Sequence, residues 1–441
     1  MNQLDKNALY VVISPRFTLS KTGHFYWNAL AYEDAFRKLN LDYRIIVPSF
    51  EGAQTFLSQN PNFLMVDIGG PNSFGHDNGL ISPLRLTQAI RRLIQDLNLE
   101  RDIYILSFES SLTLYVSLIY LSNRDSRIRV SLNLLDFGFW EKLLKMKQPG
   151  FKGLITGLKA ATNQNSAHFH VFANSGTQPK LFSELLSTKV FPWPIISVST
   201  NRTHFKESKL NSNELSSKRL LVFPHPDDLE VIKQLIKQGI NRGDVQNWKI
   251  DVHFKNLSDY QNIQEVTSRS NMSDVSLSHG YLDEESYSKK FEDSAVVLIP
   301  YKDQLHMYSG SGKAMDSLGH GLPIIALRGT HACEIACKVN ACFPLENVTA
   351  IDIVAALGKI DSSEAITRKS VFRSRIRENA FAFLSPESSL REIVTTFNSE
   401  YPISQPMKRE LLTKLSFLWF LISVGTKIKK FLQDKFRRFT I

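Results

Sequence analysis

Short runs of consecutive apolar residues recur through this chain, and each is followed by a stretch of helical periodicity. ALYVVIS (8–14) precedes HFYWNALAYEDAFRKL, and YRIIV (43–47) and FLMVD (63–67) follow. TQAIRRLIQDLN, IYILSF (103–108), LTLYVSLIYLS, RVSLNLL (129–135) and HFHVFANS (168–175) continue the series. A strand that is apolar at every position has both faces covered, the condition of a parallel sheet flanked by helices. After FPWPI comes a polar, aperiodic stretch, STNRTHFKESKLNSNELSSK (199–218), which reads as a linker or long surface loop. A second series then opens with RLLVF (219–223) and DLEVIKQLIKQGI, and runs through WKIDVHF, VSLSHG, AVVLIPY (295–301) and LPIIAL (322–327). The expected architecture is α/β: two Rossmann-like domains, 1–200 and 219–404, joined by a linker at 201–218 and followed by a tail at 405–441. In such sheets ligands sit beyond the carboxyl ends of the strands.

A chain of 441 residues, 43% of them hydrophobic, is long and apolar enough for two domains with cores of their own. Disordered, collagen-like and coiled-coil classes are excluded. The three cysteines all fall between Cys333 and Cys342, so no disulfide framework is expected. The apolar run near the N-terminus is too short for a signal peptide, and a reducing, cytoplasmic compartment is the expectation.

The net charge of +10 is unevenly placed, because nine of the 53 Lys and Arg lie from Lys408 onward, against Glu410 and Asp434. Nucleic-acid binding needs a basic face on the folded body. Here the basicity belongs mostly to the tail, and no nucleic-acid partner is expected. LSFLWFLISVGT (415–426) is uncharged but shorter than the roughly 20 residues that span a bilayer. In KIKKFLQDKFRRFTI, Ile428, Phe431, Leu432, Phe436 and Phe439 recur at helical spacing with basic residues opposite. Residues 408–441 therefore read as an amphipathic helix on an anionic membrane surface, the inner face of the cell membrane. The alternative is a helix packed on the body or on a second subunit.

The densest local signal is YSGSGKAMDSLGHGLP (308–323). Ser309, Gly310, Ser311 and Gly312 follow AVVLIPY by one loop and open a helix, where free N–H groups and the helix dipole converge on an anion. Lys313 adds a point charge, and Asp316 stands one turn on, where acidic residues accept ribose hydroxyls. An N-cap with a tight turn is the plainer reading of the same residues. Gly23 and His24 end the loop after the first strand, where a sugar or phosphate approaches backbone closely; an ordinary loop is the alternative. Asp136 ends a buried strand and is the candidate base or acceptor orienter, with Glu109 as its rival and a helix N-cap as the plainer role. Cys333 and Cys337 lie four apart on a helix without a partner motif and read as packing residues. His168 and His170 read as structural.

HGYLDEESYSKKFEDSAVVLIPY (279–301) and YSGSGKAMDSLGHGLPIIAL resemble the nucleotide-binding half of GT-B glycosyltransferases, particularly the group related to family 4. GTHACEIA, with Glu334, continues the likeness, and TGHFYWNALAYEDAFRKLN, LLDFGF (134–139) and VFANSGTQPKLF are similar to first-domain segments of that family. The resemblance spans about residues 8–400. It implies transfer of a sugar from a nucleotide diphosphate-sugar, an interdomain cleft that closes on its substrates, and no metal or other cofactor. The family carries two glutamates around the nucleotide-binding helix. Asp316 matches the second, and Tyr308 stands where the first would be.

With the tail, these features point to a lipid-linked saccharide acceptor and envelope polysaccharide synthesis. A noncatalytic GT-B-like scaffold at the membrane is an alternative, because Tyr308 replaces a carboxylate. A further alternative rests on HPDD (225–228), which is similar to a motif of zinc deacetylases acting on N-acetylglucosamine derivatives. Leu229 stands where that motif has glutamate, and a strand-to-helix turn capped by Asp227 or Asp228 is the simpler reading of His225 and its neighbours.

Overall fold

The computed structural model describes residues 4–19, 24–68, 82–97, 100–107, 111–134, 156, 158–163, 168–174, 178–193, 218–241, 245–270, 274–301, 311–363 and 369–399. These residues group into two compact units. The first holds the described residues up to 174, 178–193 and 390–399, and the second holds those from 218 to 389. The tail at 405–441 lies outside the described residues, as do 201–217; Lys218, read as linker, is the first residue of a strand.

In the first unit seven strands lie in one parallel sheet: β1 (Leu9–Ile13), β2 (Asp42–Pro48), β3 (Phe63–Val66), β4 (Ile103–Ser107), β5 (Ile128–Leu134), β6 (Phe169–Asn174) and β7 (Val190–Trp193). Their order is β3-β2-β1-β4-β5-β6-β7. Helices α1 (His24–Leu39), α2 (Ala53–Gln59), α3 (Pro83–Gln95), α4 (Leu112–Arg124) and α5 (Gln178–Leu186) connect them. Every residue of β1, β4 and β6 is buried, as continuous apolar runs require. His170 is among them, its ring 5.4 Å from that of Phe191, a packing role.

Helix α4 is buried at each position from Leu112 to Ser122. A helix closed off on all sides must satisfy its polar groups internally. Ser111 caps it by accepting from the Leu114 N–H at 3.1 Å. Ser117 donates to the carbonyls of Thr113 and Pro83, at 2.7 and 3.0 Å, and so ties α4 to the start of α3.

The second unit repeats the plan with β8 (Lys218–Val222), β9 (Trp248–Phe254), β10 (Val275–His279), β11 (Val296–Ile299), β12 (Ile324–Leu327) and β13 (Cys342–Leu345). All are parallel, in the order β10-β9-β8-β11-β12-β13. The helices are α6 (Leu229–Gln238), α7 (Leu257–Ser270), α8 (Glu284–Glu292), α9 (Gly312–Gly319), α10 (His331–Lys338), α11 (Ala350–Asp361), α12 (Lys369–Leu384) and α13 (Pro386–Ser399), the last of which continues into the first unit. In each sheet the order reverses once, between β1 and β4 and between β8 and β11. That reversal opens a crevice at the carboxyl ends of the two strands. Among the described residues no helix is long and apolar enough to cross a membrane.

Gly321 sets how α9 hands over to β12. The Gly321 and Leu322 N–H groups donate to the carbonyls of Leu318 and Ser317, at 2.9 and 2.8 Å, which closes the helix. Gly321 has φ +73, and a Cβ there would lie 2.5 Å from the Arg373 carbonyl oxygen of α12. Both constraints exclude a side chain. Gly321→Ala is expected to lower unfolding free energy by ~1–3 kcal/mol, read by chemical denaturation against the parent chain.

Candidate functional site

The crevice between β8 and β11 is where the second unit gathers polar and aromatic side chains. Strand β8 runs out through Phe223 into a turn, His225 followed by the 3-10 segment Pro226–Asp228. The His225 N–H donates to Asp228 Oδ2 at 2.9 Å, and the His225 ring accepts from the Asp227 N–H at 3.5 Å. This is a strand-to-helix turn, as the simpler sequence reading holds. His225 caps the 3-10 segment with Asp228 as the reciprocal partner, and Asp228 stands at the N-cap position of α6 without a side-chain cap bond of its own there. Among the described residues no third metal ligand gathers with His225 and Asp227.

Helix α9 begins opposite that turn. Ser311 caps it by accepting from the Ala314 N–H at 3.2 Å. The Gly312 and Lys313 N–H groups are left without partners among the described residues, as first-turn donors are. Gly312 is exposed, and a Cβ built on it meets nothing within 4 Å, so the space above the helix start is open.

Lys313 stands in the first turn, where the helix dipole disfavours a cation. Its ammonium donates to the Phe223 carbonyl at 2.6 Å and lies 5.6 Å from the centre of the Phe223 ring. Burial pushes the Lys313 ammonium down to about 8, with the nearby Asp228 carboxylate opposing. Tyr301, just past β11, is hydrogen-bonded with Ser311 and feels the same carboxylate; burial holds its phenol above the usual range. A buried cation beside unpaired helix-start N–H groups is an arrangement that an anion completes.

Asp316, one turn on, accepts from the Tyr287 hydroxyl of α8 at 2.8 Å. The Tyr287 and Phe291 rings both pack on Phe223, each at 5.6 Å, and Phe291 stacks on His320 at 4.9 Å. Behind them His253 and Ser278, register partners on β9 and β10, are hydrogen-bonded at 2.9 Å. His253 Nε2 faces the Gly280 carbonyl at 3.0 Å, so the neutral ring carries its proton there and accepts from Ser278 through Nδ1. Burial, the largest influence, lowers the His253 pKa. Ser278 in turn accepts from Lys290, which also holds the buried Asp251 carboxylate at 2.8 Å.

Four expected site residues, Ser311, Gly312, Lys313 and Asp316, thus share the first turns of α9. Tyr308, Ser309, Gly310, Gly23, Asp136 and Glu109 lie outside the described residues. His24 is the first residue of α1, and its side chain is not among those described. Glu334 stands in the first turn of α10, half-buried, its carboxyl pKa raised by burial. Phe223, His253, Tyr287 and Lys290 went unread as site residues in the sequence, and Asp228 was read only as part of the HPDD turn. Only the helical pairing of Tyr287 with Phe291 was there as a signal.

No protein-family model matches the chain, and no curated protein is similar to it in sequence. Solved structures share its fold. The N-terminal domain of Candida albicans trehalose-6-phosphate phosphatase superposes with a TM-score of 0.59 at 10% identity, over 90% of this chain and 98% of that one. A glycosyltransferase from Rickettsia africae gives 0.58 at 10% identity, over 90% and 98%. The trehalose-6-phosphate protein of E. coli bound with UDP-2-fluoro glucose gives 0.55 at 11% identity, over 90% and 100%. The fold is GT-B. Both Rossmann-like domains of a GT-B chain are therefore present, and the β8/β11 crevice belongs to the second.

The Lys313 ammonium offers a direct check on this geometry. Its folded pKa lies below that of the unfolded chain, so between about 8 and 10.5 the unfolded state binds more protons. Stability relative to Lys313→Met should therefore rise as pH increases through that window and stay level below it. Melting temperatures of both proteins at pH 7 and pH 9.5 read the difference.

Proposed function

We propose that this chain is a glycosyltransferase that moves a sugar from a nucleotide diphosphate-sugar to a saccharide acceptor. The observation that carries the reading is the start of α9: two N–H groups without partners among the described residues, an open Gly312 and the Lys313 ammonium held by the Phe223 carbonyl, all at the strand-order reversal. In the transfer the sugar's anomeric carbon parts from the diphosphate, and negative charge grows on the leaving oxygen. Fixed donors already aimed at that position stabilise the charge without reorganising. Ser309, Gly310, Ser311, Gly312 and Lys313 would hold the diphosphate, and Asp316, oriented by Tyr287, would take the ribose hydroxyls. The E. coli structure with bound UDP-2-fluoro glucose supports a nucleotide-sugar ligand for this fold.

In this reading the first domain receives the acceptor near Gly23 and His24, with Asp136 as base or orienter, and no metal takes part. The basic, apolar tail at 408–441 would hold the enzyme peripherally on the inner face of the cell membrane. That placement supports a lipid-linked acceptor and a role in envelope polysaccharide synthesis. The family 4 likeness is part of the same proposal. Tyr308, in place of a glutamate, favours the second reading, a noncatalytic scaffold of the same fold.

Thermal stabilisation by UDP, GDP, dTDP, CMP and Zn²⁺, compared between the parent chain and Asp316→Ala, tests the site. A ligand at 100 times its dissociation constant adds about 2.7 kcal/mol. One nucleoside diphosphate should raise the melting temperature of the parent and not of Asp316→Ala, and the response should weaken above about pH 8 as Lys313 loses its proton. No response to any nucleotide favours the scaffold, and a Zn²⁺ response lost in His225→Ala favours the deacetylase. Cosedimentation with anionic vesicles should fall with added salt and disappear when residues 408–441 are removed.

A further inference from the structure

The chain has three cysteines among 441 residues, and the fold brings all three together. Cys333 and Cys337 lie one turn apart on the same face of α10. The helix ends at Lys338, and Asn340 takes a left-handed conformation, φ 57. The Asn340 and Ala341 N–H groups then donate to the carbonyls of Cys337 and Ala336, at 3.1 and 2.8 Å. This tight reversal returns the chain over the helix end and starts β13 with Cys342.

The outcome is three thiol sulfurs within 4.8 Å of one another, with Cys333 Sγ and Cys342 Sγ 3.2 Å apart. Core packing does not account for the set, because Cys337 is exposed and Cys342 only half-buried. Four tetrahedral sulfurs at about 2.3 Å from a zinc ion are roughly 3.8 Å from each other. Small rotations of these side chains reach that spacing. Two of the three ligands ride on a helix and the third on a strand, so their backbones are already fixed. The Arg328 guanidinium, ion-paired with Glu346 at 2.8 Å, and the Glu334 carboxylate both lie near the thiols, so the surroundings carry charge of both signs.

We propose that Cys333, Cys337 and Cys342 form a three-thiolate site for a thiophilic divalent cation, Zn²⁺, with solvent in the fourth position. Closed structural zinc sites use four protein ligands, whereas three ligands with an open position accept water or an exogenous donor. A bound ion would clip the end of α10 to the start of the edge strand β13, separate from the nucleotide crevice at the carboxyl ends of β8 and β11. The site is distinct from the His225 turn, and it gives the chain a zinc response that no deacetylase chemistry is needed to explain.

The full chain, purified under reductant and stripped with chelator, is titrated with Co²⁺ as a spectroscopic stand-in. One equivalent should develop sulfur-to-cobalt charge-transfer absorption and the intense visible bands of a tetrahedral site, both bleached by Zn²⁺. Cys337→Ser, at an exposed position, should keep the far-ultraviolet circular dichroism of the parent and lose the charge-transfer absorption. Cys342→Ser provides the second variant. Absence of charge-transfer absorption at saturating Co²⁺ while three thiols titrate as free overturns the proposal. So does an unchanged spectrum in Cys337→Ser, or a single free thiol with a mass lower by two hydrogens, which marks a Cys333–Cys342 disulfide instead of a metal site.

Discussion

The reversal of strand order between β8 and β11 governs what the second unit is able to do. Parallel strands need long crossovers, and right-handed crossovers running outward from a central pair place helices on both faces of the sheet. At the central pair the two sets of connections part, which leaves a crevice at the carboxyl ends of β8 and β11. The nucleotide site proposed for this unit stands at that gap: Phe223 and the His225 turn on one side, Tyr301 and the start of α9 on the other. The first unit has the same reversal between β1 and β4.

Within the gap the decisive feature is electrostatic. Lys313 places a cation where the helix dipole is already positive, and the Phe223 carbonyl and ring, with Asp228 beyond, make that tolerable. Few stability arguments favour such a placement. An anionic ligand supplies the missing negative charge, and the cost in the empty protein becomes affinity when it arrives. The aromatic floor of Tyr287, Phe291 and His320 fixes Asp316 relative to that charge, while the Asp251, Lys290, Ser278 and His253 chain locks β9 to β10 behind it.

Much of this was legible before any coordinates. The runs LYVVI, YILS and LLV announce buried parallel strands because both of their faces are apolar, and the helix start at Ser311 is written in its small residues. The strand-to-helix turn at His225 was readable too, but not its cap, since a histidine ring accepting a backbone N–H has no local signature. Tyr287 and Phe223 were invisible because they act through contacts between residues far apart in the chain. The cysteines show the limit most plainly. Spacing placed Cys333 and Cys337 on one helix face, yet a left-handed Asn340 decides that Cys342 joins them.

Helix α4 carries a consequence of another kind. Eleven successive residues without a solvent-facing side leave no position where a charged side chain is cheap. Its two buried serines, Ser117 and Ser122, are tolerated because their hydroxyls return to nearby carbonyls, so they behave as apolar residues with internal clasps. Most helices flanking a sheet offer one face on which sequence drifts freely. This one offers none, which makes it the natural place to seek the slowest-exchanging amides of the first domain, and the wrong place to attach a label, a tag or an engineered contact.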